Sequence, residues 1–97
     1  MSGKVCRAIR GRRVLNFTYD KFPRQVEPHL HGWSQADKET LSAYQIGGGS
    51  RSGRTPFWRD FIISEMSGTT VTSTTFTGTR PGYNPRDKTM KRIHCRL

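Results

Sequence analysis

Acidic side chains are scarce in this sequence: seven Asp and Glu stand against 17 Lys and Arg, a formal net charge of +10 over 97 residues. A surplus of that size gathers polyanions, so an anionic partner is the first expectation. Long apolar runs are missing too. No stretch approaches the roughly 20 residues of a membrane-spanning helix, and the basic first fifteen positions hold no cleavable apolar segment. We therefore expect a cytoplasmic chain with no membrane partner. Cysteine is limited to Cys6 and Cys95, at opposite ends. One pair is not the dense framework of a secreted mini-protein, so reduced thiols are expected. Apolar residues make up only 32%, which suits one core and a single domain over 1–97. The ten aromatics spread along the chain set it apart from a disordered basic tail.

Signals for catalysis and cofactors are also thin. The carboxylates are scattered, and no nucleophile stands beside a base in a known pattern. His29 and His31, two residues apart on one strand, are the residues a ribonuclease-like acid–base pair would use. With His94 and Cys95 they include zinc-ligand types, but there is no C-x-x-C pair. Residues 47–54 (GGGSRSGR) lack the Gly-Lys-Ser/Thr ending of a phosphate loop and read as a flexible hairpin loop. The expectation is a non-enzyme with no metal and no cofactor.

What is present is a change of period. Val5, Ala8 and Ile9 repeat at helical spacing over residues 3–10, with Lys4, Arg7 and Arg10 on the outer face. So short a helix must dock on something else to persist. From Arg13 the period becomes two: Leu15, Phe17 and Tyr19 share one strand face. A turn near Asp20 leads to a second strand containing Val26, interrupted at Pro28 and continued over 30–33. A third strand spans 39–46, with Leu41 and Ala43 on its inner face. The apolar stretch 57–66 predicts a central strand, Thr-rich 69–76 another, and 93–97 a closing strand. Asn84-Pro85 allows a one-turn helix. The fold class expected is mainly β: five to six short strands bent into a small barrel, with an N-terminal helix.

Charge is distributed as +6, −2 and +6 over residues 1–24, 25–49 and 50–97. Arg7, Arg10, Arg12 and Arg13 form the densest basic cluster, followed by Lys88, Lys91, Arg92 and Arg96. If the last strand lies near the helix, the two make one surface. Arg24 offers a planar fork for phosphate or carboxylate. Tyr44 leads the candidates for base stacking, with Trp33, Trp58 and Tyr83 behind it.

Ala8, Leu15, Phe17, Tyr19, Arg24, Val26-Glu27-Pro28-His29, Leu41, Ala43, Tyr44 and Arg80-Pro81-Gly82-Tyr83-Asn84-Pro85 occur in the order seen in a known family. On them the chain resembles a stand-alone WYL domain, the small module attached to bacterial transcription regulators. The name-giving triplet falls on Glu39-Thr40-Leu41, keeping only the leucine. The family's aromatic-Arg-Leu-Asp-x-Ile strand falls on residues 61–66, with Ile62 at the pocket arginine and Ser64 at the aspartate. The resemblance implies an Sm-like five-stranded barrel and a ligand sensor for nucleotides or single-stranded nucleic acid that either binds its ligand alone or acts on a separate regulator protein.

The function expected is thus non-catalytic: binding of single-stranded nucleic acid or a nucleotide, with phosphate contacts from Arg7, Arg10, Arg12, Arg13 and Arg24 and a stacking contact from Tyr44, in a monomer or weak dimer. The alternative is a protein-interaction module that recognises an acidic partner through its basic face or a β edge.

Overall fold

The computed structural model describes residues 2–49 and 57–97. Helix α1 (Ser2–Gly11) precedes strands β1 (Arg13–Tyr19), β2 (Phe22–Ser34), β3 (Glu39–Gly48), β4 (Phe57–Ile62), β5 (Ser67–Thr75) and β6 (Met90–Arg96). The helix forms as its period predicts: Val5, Ala8 and Ile9 are fully buried beneath it. Arg12, at φ 51°, reverses the chain into β1. Asp20 and Lys21 both take positive φ, the conformation of a two-residue hairpin turn whose twist suits the paired strands β1 and β2.

Strand β2 organises the sheet. Its first half pairs with β1 and its second half with β6, while β3 runs along its other edge. The β2–β3 register shifts between Pro28 and Leu30, at the proline that cannot donate to a ladder. Beyond this bend β6 takes the place of β1. Gly32 permits the exchange, because a Cβ there would lie 2.4 Å from the Arg92 carbonyl oxygen.

The six antiparallel strands form a bent sheet in the order β4-β3-β2-β1-β5, with β6 on β2. Among the described residues the expected barrel closure does not occur: β4 and β5 end the sheet and do not pair with each other. Side chains of β1 and β4 meet inside the bend instead. Phe17, Tyr19 and Phe61 meet edge to face, and Tyr19 Oη accepts a hydrogen bond from the Ile62 amide at 3.1 Å. Helix α1 lies across β1, β2, β5 and β6, and the core is sealed between it and Leu15, Phe17, Val26, Leu41, Ala43, Phe61 and Ile63.

Some expectations change. Residues 57–66 are an edge strand followed by a 3-10 turn (Ile63–Glu65), not a central strand. The apolar content misled: Phe61 and Ile63 enter the core, while Phe57 is 44% exposed. No helix forms at Asn84-Pro85; Asn84 Oδ1 accepts the Arg86 amide in a local turn. Gly47 and Gly48 extend β3, and residues 50–54 of the expected loop lie outside the described residues. Cys6 and Cys95 are not free thiols but are joined as a disulfide, because α1 packs on β6 and brings their Cα atoms to 5.8 Å. Among the described residues no helix is long and apolar enough to cross a membrane.

Candidate functional site

The sheet carries polar clusters on two sides. On the side away from α1, strand alternation and pairing place Glu27, Tyr44 and Trp58 together, opposite the core-facing Val26 and Ala43. Arg80 closes over them. Its guanidinium donates to Glu27 Oε1 at 2.7 Å and Oε2 at 3.0 Å, and its Cζ lies 4.8 Å from the Tyr44 ring centre. Trp58 donates its indole N–H to the Pro81 carbonyl at 2.8 Å and stacks on Tyr83 at 14° between planes. Gly82 enables this turn. Its φ is +91°, and a Cβ would sit 3.1 Å from the Trp58 indole nitrogen.

His29 is the buried centre of that cluster, packed against Trp58, Phe76 and Tyr83. Its Nε2 accepts the Arg80 amide at 3.1 Å, so the proton sits on Nδ1, which donates to the Glu27 carbonyl at 2.7 Å. Burial pushes its pKa below the ordinary 6.5. Both nitrogens are committed to the backbone, which leaves His29 no proton to exchange with a substrate. The imagined His29/His31 acid–base pair is not assembled, because His31 belongs to a different cluster.

His31 sits under α1, 1% exposed. Its Nδ1 lies 3.4 Å from Cys6 Sγ and 3.5 Å from Cys95 Sγ, and its Nε2 lies 3.4 Å from Glu39 Oε2. The His94 ring is 4.9 Å away. Burial lowers the His31 pKa, with Glu39 opposing and His94 reinforcing the shift.

The predicted phosphate ligands divide. Arg7, Arg10, Arg12 and Arg13 are all exposed, on α1 and at the start of β1, and none meets a carboxylate among the described residues. Arg12 and Arg13 reach only the Thr77 and Thr72 carbonyls, each at 3.4 Å. Arg24 lies elsewhere: it is 5% exposed, donates to Tyr19 O and Gln45 Oε1, and has the Tyr19, Phe22 and Phe61 rings around its guanidinium. Burial lowers its pKa. It ties the β1–β2 turn to β3, so its donors are not available at the surface. Tyr44, covered by Arg80, is on the face opposite α1 and does not share a surface with the four arginines.

Another aromatic lies near one of them, Arg10. Trp33, 39% exposed, shares a cleft of about 540 Å³ with Glu39, Lys91, Arg92 and His94. Its indole N–H and Lys91 both engage Asp37, which holds the ring at the cleft edge. The Asp37 carboxyl is lowered by these two bonds, that from Lys91 first. A second cleft, of about 330 Å³, has Glu39 and His94 in common with the first and adds Gly3, Cys6, Arg10 and His31. The contact between α1 and β6 therefore joins the two basic clusters of the sequence. Lys91 and Arg92 were legible as part of the later cluster, but their neighbourhood with Trp33 depends on β6 docking against Gly32, which no local pattern announces. The chain matches no protein-family model, no curated protein and no solved structure.

Proposed function

We propose that this chain is a non-catalytic regulatory module, a distant WYL-type domain with an Sm-like sheet, that binds single-stranded nucleic acid or a nucleotide and acts on a separate regulator protein in the cytoplasm. The observation that carries the reading is the cleft in which exposed Trp33 lies among Lys91, Arg92 and His94, next to the one lined by Arg10. Lys91 is paired with Asp37, but Arg92 meets no carboxylate among the described residues, and an aromatic plane beside such a cation is the arrangement that stacks a base while its phosphates are held. Arg7, Arg12 and Arg13 add exposed positive charge on α1 and at the start of β1, and each neutralised phosphate releases condensed counterions. Arg24 supports the fold beneath, and Tyr44 stands outside this surface.

The test is a titration at roughly physiological salt with a single strand, its duplex and a polyphosphate without bases. Tighter binding of the single strand than of both controls supports the reading; equal, weak binding of all three refutes it. The Arg12→Ala, Arg13→Ala double variant should lower the slope of log affinity against log salt by about 1.4, two phosphate contacts at about 0.7 each. The second reading, a module for an acidic protein partner, draws on the two sheet ends, β4 and β5, each paired on one side only. It predicts no change in tryptophan emission with oligonucleotides.

A further inference from the structure

We propose that, once the Cys6–Cys95 disulfide is reduced, Cys6, Cys95 and His31 bind one zinc ion, so that zinc replaces the disulfide as the link between α1 and β6. This goes beyond the nucleic-acid reading and stands independently of it.

The geometry points to a metal. In a tetrahedral site with Zn–S near 2.3 Å and Zn–N near 2.0–2.1 Å, a sulfur and a nitrogen ligand stand about 3.6 Å apart. The His31 Nδ1 distances to the two sulfurs are 3.4 and 3.5 Å. The imidazole thus already stands at the edge length of the tetrahedron, and only the sulfurs must part, to about 3.8 Å, once their bond is broken. The three donor atoms lie within 4.8 Å of one another.

The oxidised state leaves this ring poorly served. His31 is among the most deeply buried side chains, yet its Nδ1 faces two disulfide sulfurs that have no proton to give and accept only weakly. Its Nε2 is in ion-pair range of Glu39 but lacks a well-directed hydrogen bond. A buried polar ring without full partners is costly, and zinc on Nδ1 supplies the missing one. Nε2–H then turns to Glu39, the carboxylate–histidine–metal arrangement that fixes the ring and raises its basicity. Two thiolates balance the charge of the ion, so the buried site is neutral. The cleft lined by Cys6, Arg10 and His94 leaves the fourth position open to water.

The chemistry balances. A dithiol reductant transfers two electrons and two protons to the disulfide and leaves as its own cyclic disulfide. The two thiols then release two protons as Zn²⁺ binds both sulfurs. The sequence hides this site because its cysteines are 89 residues apart, with no C-x-x-C pair to announce them.

The test uses the full chain, reduced and oxidised, titrated with Zn²⁺ and with Co²⁺ as a spectroscopic stand-in, with near-ultraviolet circular dichroism reporting the fold. The reduced chain should take up one ion, release protons and give a thiolate-to-cobalt charge-transfer band, while the oxidised chain takes up none. Glu39→Gln should weaken zinc binding by about 10–100-fold, and Cys6→Ser or Cys95→Ser by more. His94→Ala should leave affinity unchanged. If the reduced chain loses its tertiary spectrum, zinc should restore it. Failure to restore it, no uptake by a reduced folded chain, a cobalt spectrum without the thiolate band, uptake by the oxidised chain, or dependence on His94 would each overturn the proposal; the last two would place the metal on His31, Glu39 and His94 instead.

Discussion

His29 and His31 are two residues apart on one strand, both buried, and they do opposite work. His29 spends its two nitrogens on the Glu27 carbonyl and the Arg80 amide, and its aromatic neighbours close around it. His31 faces two sulfurs and a carboxylate, beside a surface whose arginines meet no carboxylate among the described residues. Burial is the same in both, so burial does not distinguish structure from function here; the identity of the partners does. The cluster around His29 satisfies itself and holds the sheet. The α1 side leaves cations, one exposed indole and a buried ring with capacity to spare, and the proposed binding falls there.

The contrast can be broken on either side. Trp58→Ala should cost the most stability, about 3 kcal/mol, the low end for a large aromatic because the ring is half-buried. Affinity of the folded fraction for a single strand should be unchanged, as urea unfolding and a parallel titration would show. Gly32→Ala should cost about 1–3 kcal/mol by forcing β6 off β2. It should also weaken oligonucleotide binding, since Arg92 and His94 move away from Trp33; loss of stability with intact binding would separate the cleft from β6. Trp33→Ala should cost about 1–3 kcal/mol of single-strand affinity. Its urea midpoint should stay close to that of the parent chain.

Acidification gives a subtler contrast. The folded pKa values of His29 and His31 lie below the ordinary 6.5 because burial disfavours the imidazolium. The unfolded chain therefore binds more protons between the folded value and 6.5, and stability rises with pH in that window. The contribution is complete above 6.5 and is lost as pH falls below it through the folded values. Urea midpoints taken downward from pH 7, before the carboxylates titrate near 4, should decline. A flat profile would mean that neither ring is held neutral.

Much of the fold was legible, and the rest has physical reasons for being hidden. Val5, Ala8 and Ile9 announced the helix, and Leu15, Phe17 and Tyr19 the first strand, because local period reports which face is buried. The place of β4 was misread because an apolar edge strand looks like a central one; only its pairing partners tell them apart. The disulfide was hidden by sequence distance, and the cleft around Trp33 by an exchange of partners along β2 that turns on one glycine. The arginines of α1 were readable as a cluster from sequence. Which arginines reach solvent was not: Arg24 looks like Arg12 in sequence, and only the Gln45 amide and three rings around it mark it as interior.

The most direct test of where binding occurs uses two single-tryptophan chains. Trp58→Phe leaves Trp33 as the sole indole, and Trp33→Phe leaves Trp58. Titrated with a single-stranded oligonucleotide, the first should lose emission and the second should not, while duplex and polyphosphate leave both unchanged. Quenching confined to the chain that retains Trp58, or equal responses to all three polyanions, would contradict the account.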